Sequence, residues 1–201
     1  MPRGVIDIKG IQSPEMQSLK NKTPPEDLPF NITKIGHVVL RCQDINKSVE
    51  FYTQVLGFRV SDVYPDSMVD GKMVFMRCNT DHHGVALVGG VKESSRNIEM
   101  HHMAFEVDTL DEVVEAREHL KKHNVQILFE GRRRAGVQIA VEFLDPDGHW
   151  LEIFWGLDQL GPEDMARPPE EWVEEFSIED AIDNAPKGQD TTLLDPSLKN
   201  E

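Results

Sequence analysis

The fold is decided by the stretch IGHVVLRCQDINKSVEFYTQVLGFRVSDVY (35–64), because its pattern returns in MHHMAFEVDTLDEVVEAREHLKKHNVQILFEG (100–131). Each stretch opens with a short run of alternating apolar residues, which is typical of a β-strand. An Asp follows each run, and we expect Asp44 and Asp108 to cap the helices that begin next. Further strand-like runs follow: MVFMRCN and GVALVGG in the first unit, GVQIAVEFLD and HWLEIFWG in the second. Each unit therefore predicts the order strand, helix, strand, strand, strand.

The two predicted helices carry matching apolar stripes, offset in the sequence by about one repeat of 65 residues. The stripe of the first helix consists of Ile45, Val49, Tyr52 and Leu56, and Gly57 is placed to end that helix. The stripe of the second helix, which ends near Asn124, consists of Leu110, Val113, Val114, Arg117 and Leu120. Two such units that pair predict one α+β domain with curved sheets inside and helices outside.

Charge is unevenly distributed over the 201 residues, whose formal net charge is −15. Residues 1–33 are neutral overall, whereas residues 157–201 carry a net charge of −10. So acidic a chain opposes a broad phosphate-binding surface, which argues against nucleic acid as a partner.

No run of 18 apolar residues is present, which argues against a membrane span. The first ten residues lack the apolar run of a signal peptide, and two cysteines suit a reducing compartment, so we expect a cytoplasmic location.

Three polar residues interrupt the predicted strands at matching places: His37, His102 and Glu152. Strand alternation puts all three on inward faces, opposite apolar residues that pack on the helices. An unpaired buried carboxylate is costly, and a divalent cation offsets that cost. Two histidines and one carboxylate form the ligand set of non-haem Fe(II) sites. Taken alone, each would be a structural or solvent-facing residue; their equivalence in the repeat favours a metal site.

The segments GHVVL, DINKSVEFYTQVLGF, HHMAFEVD and FLDPDGHWLEIF resemble the vicinal oxygen chelate superfamily. This superfamily includes glyoxalase I, type I extradiol dioxygenases and antibiotic-resistance proteins. The resemblance implies two paired βαβββ modules, about 32–92 and 97–157, around a metal held by His37, His102 and Glu152. Residues 32–157 would form this domain, after an N-terminal extension (1–31) and before an acidic C-terminal tail (158–201).

Within the superfamily, the resemblance is nearest to the type I extradiol dioxygenases. Glyoxalase I-like proteins generally add a fourth ligand, a Glu, on the last strand of the first module, but HGVALVGG (83–90) contains no acid. A site with three protein ligands leaves room for a bidentate substrate and dioxygen. By resemblance, His83 is the catalytic acid/base beside the metal, although His82 and His83 would also suit a solvated turn. The expected metal is Fe(II), with Mn(II) or another divalent ion as the alternative.

The substrate side of the site departs from the extradiol pattern. Those enzymes often have a His in the loop that reads GRRRAG (131–136) here, and a Tyr where this chain has Glu142. We expect Val39, Glu142 and Phe154 to line the substrate pocket. The arginines of the loop form the densest cationic spot of the chain, either as a solvated loop or, through Arg134, as a partner for an anionic substrate group. His101 alternates outward beside the ligand and is expected to be structural or to orient His102. 

Together with these residues, the resemblance implies an extradiol-type dioxygenase that cleaves a catechol-like aromatic diol with O2, and we expect a homo-oligomer without nucleic-acid or membrane partners. The alternatives are a glyoxalase-like metal-dependent lyase or isomerase and a non-catalytic, resistance-type binder of small molecules.

In the tail, Trp172, Val173 and Phe176 stand at helical spacing and are followed by Ile178 and Ile182. This pattern predicts one or two short amphipathic helices, docked on the core or on a second subunit.

Overall fold

Two four-stranded sheets form the centre of the computed structural model, which describes residues 6–23, 34–160 and 165–200. The strands of the first sheet are β1 (Val38–Arg41), β2 (Arg59–Tyr64), β3 (Met73–Arg77) and β4 (Val85–Val88). Those of the second are β5 (Met103–Glu106), β6 (Ile127–Arg132), β7 (Ile139–Leu144) and β8 (Trp150–Trp155). The spatial orders are β1-β4-β3-β2 and β5-β8-β7-β6. In both sheets the first and last strands of the module pair in parallel, and the other pairs are antiparallel.

One helix follows the first strand of each sheet, as the repeat predicts. The helices are α1 (Ile8–Ile11), α2 (Pro14–Lys20), α3 (Ile45–Glu50), α4 (Leu110–Lys122) and α5 (Ile178–Asp183). A π-helical turn, Phe51–Val55, continues α3, and two 3-10 turns lie at Pro169–Glu171 and Pro196–Asn200. The predicted α+β class and the doubled strand-helix-strand-strand-strand order are confirmed. Among the described residues, every helix is too short or too polar to cross a lipid bilayer.

The ends of α3 and α4 test the predicted caps. The Asp44 carboxylate accepts hydrogen bonds from the backbone N–H groups of the first turn of α3, so this cap is confirmed. The prediction for Asp108 is wrong, because Thr109 caps α4 instead. Thr109 has an extended backbone, and its side chain accepts from the N–H of Glu112 while the Glu112 carboxylate accepts from the N–H of Thr109. This reciprocal capping box satisfies two free N–H groups and outcompetes the Asp one residue earlier.

The two modules are joined through the turn Asp145-Pro146-Asp147-Gly148 that precedes β8. One oxygen of Asp145 accepts two N–H groups of its own turn, and the other accepts the hydroxyl of Tyr52 at 3.1 Å. Asp147 accepts the backbone N–H of Gln43 at 2.7 Å and the hydroxyl of Ser48. Both carboxylates are buried, so the contacts with the first module offset the cost of removing them from water.

The C-terminal segment packs on the second module. Arg132 is fully buried, and its guanidinium donates to the carbonyl oxygens of Ala181 and Asn184 and to the side chain of Gln189. Burial lowers the pKa of Arg132 to about 10. A solvated position for this arginine, one of the alternatives raised by the sequence, is therefore wrong, because its side chain points into the packed interface of β6 with the segment.

The helix predicted over Trp172, Val173 and Phe176 is wrong. The backbone is extended at Trp172, and Glu175 forms a β-bridge with Arg132 beside β6. The helix begins later, at Ile178, where Ser177 supplies the cap. Apolar residues one and four positions apart occur both in helices and in extended segments that pair with a strand, so this pattern alone does not distinguish the two.

We expect Arg132→Met to destabilise the protein by about 2–4 kcal/mol, because three acceptors lose a charged donor, one of them the buried carbonyl oxygen of Ala181. Urea unfolding measures the loss, and limited proteolysis should then cleave the C-terminal segment earlier than in the wild type. The control is Arg59→Met, which replaces an exposed arginine at the start of β2 and should change stability by about 0.5 kcal/mol or less. Equal unfolding midpoints for the two variants would contradict the docking role of Arg132.

Candidate metal centre

His37 and His102 hold the same place in the two modules. His37 directly precedes β1 and His102 directly precedes β5, the strands that pair in parallel with β4 and β8. Both histidines line one cleft of about 620 Å³. Phe58 and Phe105 lie in the same cleft with their rings edge to face at 5.5 Å, one from each module. The cleft therefore brings an imidazole from each module to a largely apolar space.

Glu152 lies on β8 beside His102. The register pairs Ala104 with Glu152, and His102 Nε2 lies 3.2 Å from Glu152 Oε2. Glu152 is only 2% exposed, and this burial raises its pKa above the ordinary value, against the opposing effect of His102 and with a further increase from Glu142. A buried carboxylate that shares its free face with an imidazole suits a divalent cation, which would offset the burial of its charge.

The predicted third ligand, His37, lies apart from this pair. Its ring packs against His83 at a centroid distance of 4.6 Å. Within residues 6–23, 34–160 and 165–200, no group of three His, Cys, Asp or Glu side chains is close enough to hold a metal ion. The structure thus brings His102 and Glu152 together as two ligands that fit a cation, and places His37 on the same cleft without completing the set.

The first module has no counterpart of Glu152. The register pairs Val39 with Ala86, as it pairs Ala104 with Glu152 in the second module. Ala86 is fully buried, so a methyl group stands where the repeat would place a second carboxylate. The position that a symmetric carboxylate ligand would occupy therefore lies in β4, the strand in which the sequence contains no acid.

Two further histidines contact the predicted ligands. His83, half-buried, touches His37 on one side and the edge of Phe75 on another, at a ring distance of 5.0 Å. His101 Nδ1 lies 2.8 Å from His102 Nδ1, and the His101 ring stacks on Trp150 at 4.6 Å. His101 therefore holds the nitrogen of His102 that points away from Glu152, an arrangement that orients the His102 ring.

A polar network that the sequence did not indicate surrounds Glu152. Glu142 lies opposite Glu152 in the β7–β8 register, and Arg133 Nε donates to Glu142 Oε1 at 2.6 Å. Glu142 Oε2 is buried with no partner among the described residues. Gln138 Nε2 donates to Glu152 Oε1 at 3.5 Å. Strand alternation along the arginine run could have indicated this network. Because Arg132 faces the C-terminal segment, Arg133 faces the opposite side, where the carboxylates lie.

The other residues predicted to bind substrate lie outside the cleft lining that contains the two histidines. Val39 is 46% exposed and Phe154 is half-buried. Arg134 Nε lies 3.3 Å from Glu174 of the C-terminal segment. The roles of Val39, Arg134, Glu142 and Phe154 in substrate binding, and the metal-ligand roles, stay predictions.

Known proteins resemble this chain over the two modules. It is 30% identical over 129 residues to a 3-methylcatechol 2,3-dioxygenase of Pseudomonas putida, an alignment that covers 63% of this chain and 43% of the relative. It is 28% identical over 144 residues to a lactoylglutathione lyase of Pseudomonas putida, covering 59% of this chain and 82% of the lyase. The chain thus spans less than half the length of the dioxygenase it matches.

A solved structure and a family profile agree on the fold. The fosfomycin resistance protein FosX of Listeria monocytogenes superposes with a TM-score of 0.53 at 23% identity, over 67% of this chain and 98% of FosX. The sequence profile of the Glyoxalase/Bleomycin resistance protein/Dioxygenase superfamily matches residues 34–153, which include strands β1 to β7 and the first four residues of β8. The chain therefore belongs to the glyoxalase/bleomycin resistance/dioxygenase superfamily.

Proposed function

We propose that this chain is a metal-dependent ring-cleaving dioxygenase of extradiol type, acting on a catechol-like aromatic diol in the catabolism of aromatic compounds. The observation that carries the proposal is the contact of His83 with His37, which sets a half-buried imidazole beside a predicted metal ligand. The identity of 30% to the 3-methylcatechol 2,3-dioxygenase supports the same reaction class.

His37, His102 and Glu152 would hold the metal, expected to be Fe(II), with Mn(II) or another divalent ion as the alternative. When bound, the metal supplies two functions: chelation of both diol oxygens and activation of dioxygen. The chain supplies the surroundings. Phe58, Phe105 and other apolar residues of the cleft would pack on the aromatic ring and exclude water from it.

His83 would move the proton that ring cleavage requires. Its imidazole would accept the proton of one diol hydroxyl as the substrate binds, and would return the proton as the ring opens. Imidazole suits both steps, because it gains and loses a proton near neutral pH. The position of His83 against His37 and Phe75 keeps the ring near the metal ligands and restricts its rotation.

A second candidate function is a glyoxalase-like lyase or isomerase. It is favoured by the lactoylglutathione lyase, 82% of which this chain covers. Ala86 argues against it, because a methyl group occupies the place where the repeat would put a further carboxylate ligand. A non-catalytic binder is disfavoured by the buried Glu152 beside His102, since binding alone gives no reason to bury that charge.

The function is tested by anaerobic purification, metal analysis and oxygen uptake with a panel of substituted catechols. We expect bound iron and catechol-dependent oxygen uptake, and Glu152→Gln should lose most of the metal because a neutral amide replaces a carboxylate ligand. The control is His123→Gln, an exposed histidine after α4, which should leave both properties unchanged. Metal-loaded protein that consumes no oxygen but converts a glutathione hemithioacetal would instead establish the lyase.

Because His37 lies apart from the His102–Glu152 pair, a second copy of the chain is a candidate source of the third ligand in the proposed homo-oligomer. Mixing His37→Ala with Glu152→Gln protein tests this. If sites form between chains, a mixed dimer regains one intact site, and metal binding and activity should return to about a quarter of the wild-type level, since half of the dimers are mixed and each has one of two sites. If each site forms within one chain, mixing restores nothing.

His83→Gln should lower kcat by about 10²–10⁴-fold, because the amide cannot take up the diol proton. Metal content should stay at the wild-type level, since His83 is not among the predicted ligands, and metal analysis of the same sample checks this. Full turnover in this variant with a good substrate would remove His83 from the mechanism.

A further inference from the structure

His82, which contacts His83, and Asp62, which contacts His82, have no part in the proposed mechanism so far. His82 Nδ1 lies 3.0 Å from His83 Nδ1, and His82 Nε2 lies 3.2 Å from Asp62 Oδ2. With the contact between His83 and His37, these distances form a continuous line from a carboxylate on β2 to the cleft. The line passes through three imidazoles, and hydrogen-bond partners are defined along it for both nitrogens of His82 and for Nδ1 of His83.

The hydrogen bonds in this line determine where the protons lie. A carboxylate only accepts, so His82 must carry its proton on Nε2 to bond with Asp62. In neutral His82 the Nδ1 lone pair is then an acceptor, and His83 must donate to it from Nδ1. A neutral His83 with its proton on Nδ1 has an unprotonated Nε2, which is the nitrogen free to act on a substrate.

We propose that Asp62 and His82 are positioning residues that hold His83 in the tautomer with a proton on Nδ1 and a bare Nε2. The inference rests on the acid/base role proposed for His83. In that role, Nε2 takes the proton of a diol hydroxyl and the ring becomes an imidazolium with both nitrogens protonated. Return of that proton from Nε2 regenerates the starting tautomer, so no further proton donor is required.

The strand register places Asp62 for this contact. Asp62 lies opposite Phe75 in the β2–β3 pairing, directly after a shift of register between Val60 and Asp62. Phe75 meets both imidazoles edge to face, His82 at 6.1 Å and His83 at 5.0 Å, and thereby fixes the angle between the two rings. The irregularity in β2 and the aromatic side chain on β3 thus act on the same pair of histidines.

The tautomer is measured directly by NMR of 15N-histidine-labelled protein, with the His83 signals assigned from their loss in His83→Gln. At a pH where His83 is neutral, we expect a protonated Nδ1 and an unprotonated Nε2. His82→Phe keeps a flat ring but removes the acceptor, so His83 should shift toward the Nε2-protonated form that free imidazole side chains favour. His82→Asn keeps an oxygen near the position of Nδ1 and should retain the wild-type tautomer.

Asp62→Ala, which replaces an exposed carboxylate, provides a second variant and should shift the tautomer in the same direction as His82→Phe. In turnover, His82→Phe should lower kcat about tenfold with KM unchanged, and His82→Asn should restore most of it. An Nε2-protonated His83 in the wild type, or a tautomer indifferent to both substitutions, would overturn the inference.

The two proposals fail in different measurements. A shift of tautomer in His82→Phe without any oxygen uptake by the wild type would refute the dioxygenase and leave the positioning of His83 intact. Oxygen uptake that is equally fast in the wild type and in His82→Phe would refute the positioning role and leave the dioxygenase intact.

Discussion

The buried carboxylates of Asp145 and Asp147 are the constraint on which the two-module arrangement depends. A buried carboxylate without partners would destabilise the fold by several kcal/mol, so both must find donors. Their own turn and the adjoining His149 supply some of these, and Tyr52, Ser48 and Gln43 of the first module supply others. The geometry between the modules is therefore tied to a hydrogen-bonding requirement, and the cleft shared by His37 and His102 follows from it.

The two modules are symmetric in the histidines that line the cleft and asymmetric in their carboxylates. Both modules place a histidine directly before their first strand, but the buried pair Glu142 and Glu152 in the second sheet corresponds to Phe75 and Ala86 in the first. Negative charge is thus concentrated in the second sheet, beside His102 and under Arg133. His83, backed by the aromatic ring of Phe75, lies in the first module, so the proposed proton-transfer group comes from the first module and two of the three proposed metal ligands come from the second.

The acidic C-terminal segment is part of the folded structure. The C-terminal segment that carries most of the net charge is anchored by two buried arginines, Arg132 through carbonyl oxygens and Arg117 through Glu179. Asp111 of α4 in turn accepts the backbone N–H groups of Leu194 and Asp195. The segment packs on the second module, and its Glu179 carboxylate and its carbonyl oxygens supply partners for the buried cations of Arg117 and Arg132.

The sequence by itself determined the order of elements, the buried stripes of α3 and α4, the cap at Asp44 and the fold class. These depend on periodicities of two and 3.6 residues and on local capping, which act within a few residues. Only the tertiary structure decided that Thr109 caps α4, that Trp172 lies in extended backbone, and that Arg132 is buried. It also set His37 against His83 and apart from His102 and Glu152. Those outcomes depend on which distant groups meet across elements, and a linear pattern contains the chemistry of each partner but not the distance between them.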